Sequence, residues 1–168
     1  MKVLHGYEWR PTEYDERLAE LFDHWKGTPY MEGQQKAGSG VDCFRFVCAI
    51  LDGMERTKRT VEHIPADRSI HDRRGAYRGF KRVLERYAPF EIVRDKVLEP
   101  GDVLIAGPKN GGPGHALIAG HERSTLWHVP GWGLEVRRIG MALSNGRLFR
   151  IYRTANKESR WQLPLRTS

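Results

Sequence analysis

The chain has 168 residues, 39% of them hydrophobic and 10% aromatic, enough apolar material for one folded domain and too much for a disordered polypeptide. Its formal net charge is +7 and its pI about 9.6, which suits an anionic partner, but the positive residues are spread along the chain with no nucleic-acid-binding motif beside them and are read as a solvated surface. No stretch approaches membrane-spanning length, and Met1-Lys2-Val3-Leu4 meets His5, Glu8 and Arg10 before any apolar run of a signal peptide develops. Synthesis in a cytoplasm without export by the usual secretory route is therefore expected. The two cysteines, Cys43 and Cys48, give no disulfide framework, and on a helix they would point in different directions.

In chain order, Thr12-Glu13-Tyr14-Asp15 reads as a capping box after Pro11. Tyr14, Leu18, Leu21, Phe22 and Trp25 then repeat at helical spacing, predicting a helix over about residues 12–26 that Gly27-Thr28-Pro29 stops. Residues 30–41 are polar and glycine-rich, a loop. A second helix is predicted from Asp42 to Gly53 with Phe44, Val47, Cys48 and Leu51 as its buried stripe. Residues 54–68 are charged and irregular. A third helix is expected between about 69 and 87, weakened by Gly75 and Gly79.

After Pro89 the pattern becomes strand-like. Candidates are Phe90–Val93, Asp102–Ala106, His115–Gly120, Thr125–Val129, Leu134–Ile139 and Leu148–Arg153, separated by turn signals such as Pro100-Gly101, the loop 107–114, Pro130-Gly131 and Asn145-Gly146. Helices first and strands second is an α+β order. The reading is one domain over residues 1–155 with N-terminal helices packed on a C-terminal antiparallel sheet, then a polar tail over 156–168.

Three side chains stand out chemically. Cys43 lies at a helix start, where backbone N–H groups and the helix dipole favour a thiolate and could hold an oxyanion; a buried structural thiol is the competing use. His115 opens a strand directly after Pro113-Gly114. His128, between Trp127 and Val129, lies on a strand that could pair with that of His115 and bring the two rings together. A thiol followed by two such histidines suits a nucleophile, a base and an orienting group. Zinc could use the same ligand types, but the close-spaced pairs of structural zinc sites are missing and no metal is expected. The loop 107–114 lacks the Gly-Lys-Ser/Thr ending of a phosphate loop and reads as a flexible rim.

The blocks Gly27-Thr28-Pro29-Tyr30, Gly40-Val41-Asp42-Cys43 with Phe46-Val47, Pro100-Gly101-Asp102-Val103, His115-Ala116-Leu117-Ile118-Ala119-Gly120 and Leu126-Trp127-His128 occur in the order of the NlpC-type cysteine peptidases, which the chain resembles over about residues 20–140. The resemblance implies a papain-like α+β fold and cleavage of stem-peptide bonds in bacterial peptidoglycan without a cofactor. It implies Cys43 as nucleophile, His115 as general base, His128 as the residue orienting it, and Tyr30 at the border of the site. Leu126-Trp127-His128 followed by Gly133-Leu134-Glu135-Val136 is most similar to versions carried in bacteriophage tails and tail-like particles, which implies tail-tip proteins as partners and action at the cell wall from a virion.

One departure is clear. Most members have Ser-Gly after the nucleophile, whereas this chain has Phe44-Arg45. Arg45 is expected either to narrow the cleft or to bind a substrate carboxylate, and so joins Tyr30 as a candidate substrate or oxyanion residue. Two other uses of the fold compete: a structural tail-tip or baseplate subunit with little activity, and an amidase toxin or acyltransferase.

Overall fold

The computed structural model describes residues 7–12, 15–55, 90–107, 115–140 and 148–154. The third helix expected over 69–87, nearly all of the loop 107–114, and the tail from 156 lie outside the described residues.

The first strand, β1 (Glu8–Trp9), precedes helix α1 (Asp15–Trp25). At the head of α1 the Asp15 carboxylate accepts from the Thr12 backbone N–H at 3.2 Å and its hydroxyl at 3.1 Å, the acidic half of the expected capping box. Leu18, Leu21, Phe22 and Trp25 are buried as their spacing predicts. Gly27 takes φ +78°, a left-handed conformation that suits glycine after a helix, and its N–H leaves the helix for the Val136 carbonyl at 3.0 Å.

The segment expected as a loop contains a small hairpin, β2 (Gln35–Lys36) against β3 (Gly40–Val41). Helix α2 (Cys43–Gly53) follows, with Asp42 as its N-cap. Every residue from Cys43 to Leu51 is buried, not only the predicted stripe, because α2 packs on α1 and β2 and against the main sheet. A helix covered on all sides has no need of a polar face.

The C-terminal half supplies β4 (Phe90–Ile92), β5 (Val97–Leu98), β6 (Val103–Gly107), β7 (His115–Ala119), β8 (Thr125–His128), β9 (Arg137–Gly140) and β10 (Leu148–Thr154). The main sheet has six strands in the order β4-β10-β6-β7-β8-β9, each neighbouring pair antiparallel. Alternation sorts its side chains by face. Val103, Ile105, Ala116, Ile118, Trp127 and Tyr152 join the core formed with α1 and α2. Leu104, Ala106, Leu117, Ala119, Leu126 and Ile151 join a second cluster with Leu98, against which Tyr7 and Trp9 pack. The N-terminal segment reaches that face because β1 pairs in parallel with β5.

Asp102, fully buried, ties this end of the sheet together. Its carboxylate accepts from Arg153 Nε at 2.9 Å, Arg153 Nη2 at 2.8 Å and the Glu99 backbone N–H at 2.8 Å, fixing the start of β6 to β10 and shaping the turn before it. Among the described residues, no helix is long and apolar enough to cross a membrane.

Candidate active site

The site is built where the N-terminus of α2 meets the start of β7. Asp42 is in extended conformation and its Oδ1 accepts the Arg45 backbone N–H at 2.8 Å, closing the first turn of α2. Its Oδ2 accepts the Gly33 backbone N–H at 2.9 Å. One carboxylate therefore sets both the helix start and the loop in front of it, and Cys43 follows directly.

The Cys43 thiol is 6% exposed. Burial pushes its pKa up to about 12; the backbone N–H of Ala116 is the main influence in the other direction, the Asp42 charge raises the value further, and the N–H groups of Phe44 and Cys43 lower it. The helix-start effect anticipated from the sequence is thus present, but desolvation outweighs it. The resting group is a thiol, and any thiolate must form together with proton acceptance by a neighbour. The contact with Ala116 puts the sulfur beside the residue that follows His115 in β7.

His115 and His128 meet: Nε2 of the first lies 2.7 Å from Nδ1 of the second, with ring planes inclined at 68°. The register explains this. Ile118 pairs with Trp127 and Ala119 with Leu126, so alternation places residues 115 and 128 on the same face as diagonal neighbours. His115 is half-buried and His128 buried.

Tyr30 reaches the site by a different route. Its backbone N–H donates to Leu134 at 2.8 Å and it bridges to Val41, while Pro29 bridges to Glu135. Burial raises the phenol pKa to about 12, and the charges of Cys43, Asp42 and Glu32 add to the rise. At neutral pH Tyr30 is therefore protonated and can donate a hydrogen bond.

Arg45 stands apart from its expectation. Its side chain is 6% exposed, and Nη1 donates to Asp42 Oδ2 at 2.6 Å. Three positions along a helix bring it over the N-cap, so its charge faces the buried carboxylate and not the solvent where a substrate would arrive.

Two participants escaped sequence reading. Asp42 was legible as a helix start but not as the partner of Arg45. Trp132 is 71% exposed, and its ring lies 5.2 Å from that of Tyr30 in an edge-on arrangement; a large apolar residue between Gly131 and Gly133 was the available signal. His121 is half-buried and stacks on Phe22 at 6.0 Å. Among the described residues, no group of three or more His, Cys, Asp or Glu side chains is placed to hold a metal ion.

No family model and no curated protein matches the sequence. Solved structures do match the fold. The NlpC/p60 domain of peptidoglycan hydrolase SagA is similar over 82% of this chain and 97% of that one, at 20% identity and a TM-score of 0.52. An NlpC/p60 family protein from Bacillus cereus is similar over 83% of this chain and 40% of that one, at 18% identity and a TM-score of 0.54. The chain has the NlpC/p60 fold. The expected α+β arrangement, with helices against an antiparallel sheet, holds.

Proposed function

We propose that this chain is a cysteine peptidase that cleaves stem-peptide bonds of bacterial peptidoglycan, with Cys43 as nucleophile, His115 as general base and His128 orienting it. The observation that carries the reading is the 2.7 Å contact of His115 Nε2 with His128 Nδ1, on a strand against which α2 packs and whose next residue, Ala116, turns its backbone N–H toward the Cys43 thiol. The likeness to the domain of a peptidoglycan hydrolase supports the substrate class.

With Nε2 of His115 engaged by His128, Nδ1 is the nitrogen that takes the Cys43 proton. The sulfur attacks the carbonyl carbon of a stem-peptide bond, and the carbonyl oxygen becomes an oxyanion. The Cys43 N–H in the first turn of α2 and the Tyr30 hydroxyl donate to it. His115 then gives its proton to the leaving amine, the C–N bond breaks, and a thioester remains. Water, deprotonated by His115, attacks the thioester and returns the thiol. Because burial favours the neutral thiol, proton transfer to His115 accompanies attack, and no resting ion pair is required. Arg45 is given no contact with substrate and holds the Asp42 cap.

Carriage on a phage tail or tail-like particle is the finer part of the reading. It rests on Leu126-Trp127-His128 and Gly133-Leu134-Glu135-Val136, and its partners would be tail-tip proteins. Detection of the chain in purified particles tests it.

Replacing Cys43 with alanine tests the catalytic reading: digestion of purified cell walls stops while the circular dichroism spectrum is unchanged. A Cys43→Ala protein that still releases wall fragments would overturn it. One observation favours a second reading, a structural subunit of the same fold: the thiol is nearly enclosed and its pKa is raised. In a Cys48→Ala background, a thiol probe at neutral pH separates the two, since only a thiol coupled to His115 labels quickly and loses that reactivity in His115→Ala.

A further inference from the structure

The rim beside the thiol carries an aromatic platform that the peptide chemistry leaves unused. Trp132 is the most exposed of the large hydrophobic residues described, and Met31 and Leu134, in the segments that meet there, are also exposed, at 37% and 42%. Single exposed apolar residues are ordinary; here Trp132 and Leu134 lie two residues apart in one turn, and the Trp132 ring packs on that of Tyr30.

The ring is also held. The Leu134 N–H donates to the Gly131 carbonyl at 3.1 Å, closing a turn around Trp132, and the Tyr30 N–H donates to the Leu134 carbonyl at 2.8 Å. Gly133 takes φ +75°, a conformation that a side chain would strain. The indole then leans on Tyr30, with ring centroids 5.2 Å apart at 69°. Backbone and ring contacts fix Trp132 to the same segment that places Tyr30 by Cys43, so an exposed indole is presented at a set position relative to the thiol.

We propose that Trp132, braced by Tyr30, is the seat of the sugar ring that bears the stem peptide, so that the site binds the glycan strand as well as the peptide. This rests on the peptidoglycan reading above. A short peptide without aromatic residues offers no flat apolar face. A pyranose ring does: its axial C–H groups carry partial positive charge and match the negative face of an indole.

The test uses 15N-labelled Cys43→Ala protein, with the Trp132 indole resonance assigned by its loss in Trp132→Phe. Three probes are titrated: a disaccharide-peptide, the same peptide without sugar, and the disaccharide alone. The Trp132 signal is expected to shift with both sugar-containing probes and not with the bare peptide. Trp132→Ala should weaken disaccharide-peptide binding about 2- to 10-fold, the contribution typical of an aromatic contact, and leave bare-peptide binding unchanged. A shift with the bare peptide equal to that with the disaccharide-peptide overturns the proposal in favour of a peptide group on the indole; no shift with any probe also overturns it. Wall digestion by the unsubstituted protein is scored in parallel. Digestion without a sugar-dependent shift removes the platform and leaves the peptidase reading intact. A sugar-dependent shift without digestion upholds the platform and removes the catalysis.

Discussion

The Asp42 carboxylate and the Arg45 guanidinium form a buried ion pair, 2.6 Å apart, at the first turn of the helix that begins with Cys43. Asp42 is also the helix cap and the acceptor for the Gly33 N–H, so the pair joins the helix start, the loop before it and the residue ahead of the thiol. Removing one partner strands a charge without solvent. Arg45→Met is expected to destabilise the protein by about 3–5 kcal/mol. Asp42→Asn keeps one amide oxygen for the backbone N–H groups, and the double variant Asp42→Asn/Arg45→Met should recover part of the loss. Urea unfolding of all four proteins measures the coupling; strictly additive losses would show that the two side chains act independently.

The His115–His128 contact predicts unequal losses. On the proposed mechanism His115→Ala removes the proton acceptor and should lower kcat/KM on a soluble stem-peptide substrate by about 10²- to 10⁴-fold. His128→Asn keeps a hydrogen-bonding group near His115 Nε2 and should lose less than His128→Ala. If the alanine variant at 128 matched the unsubstituted protein in rate and pH profile, the second ring would have no part in holding the first.

Burial of the site groups fixes the sign of the alkaline pH dependence. Cys43 rises from 9.0 to about 12, Tyr30 rises from 10.0 to about 12, and burial pushes Cys48 upward as well. Each group holds its proton more tightly folded than unfolded, so its contribution to stability is complete below about pH 9 and is lost as pH rises toward 12. Urea unfolding at pH 8 and pH 10.5 should show a drop in stability. The drop should be shallower in Cys43→Ala/Cys48→Ala; an identical slope in both proteins would mean that the thiols are not shielded as described.

Phe22 joins the helices to the strand that carries His128. Its ring stacks on Trp127 at 4.8 Å and 2°, and contacts Phe46 at 6.4 Å. Phe22→Ala should cost about 3–5 kcal/mol, read as a lower urea midpoint, and should change the Trp127 fluorescence environment. A cost below 1 kcal/mol would show that the layer between α1 and β8 closes over the gap.

Much of this was legible in the amino-acid order. The spacing of Leu18, Leu21, Phe22 and Trp25 marked α1, and the strand pattern found β6, β7, β8 and β10 to within a residue or two. The segment expected as one strand from Leu134 to Ile139 is divided. Tyr30 and Val136 make backbone bonds across residues 27–30 and 134–136, and only Arg137–Gly140 continues along β8. Periodicity could not detect that division, because the alternative pairing partner lies a hundred residues away. The two-residue strands β1, β2, β3 and β5 were missed for a related reason: they are too short to carry a period.

The sequence by itself determined which groups could react: a thiol at a helix start and two histidines at strand positions, since residue type and local periodicity are written in the chain. Only the tertiary structure decided their state and their company. It enclosed the thiol so that desolvation exceeds the pull of the helix start, turned Arg45 inward onto Asp42, and set Trp132 against Tyr30. Those outcomes depend on burial and on contacts between distant segments, which exist only once the chain has packed.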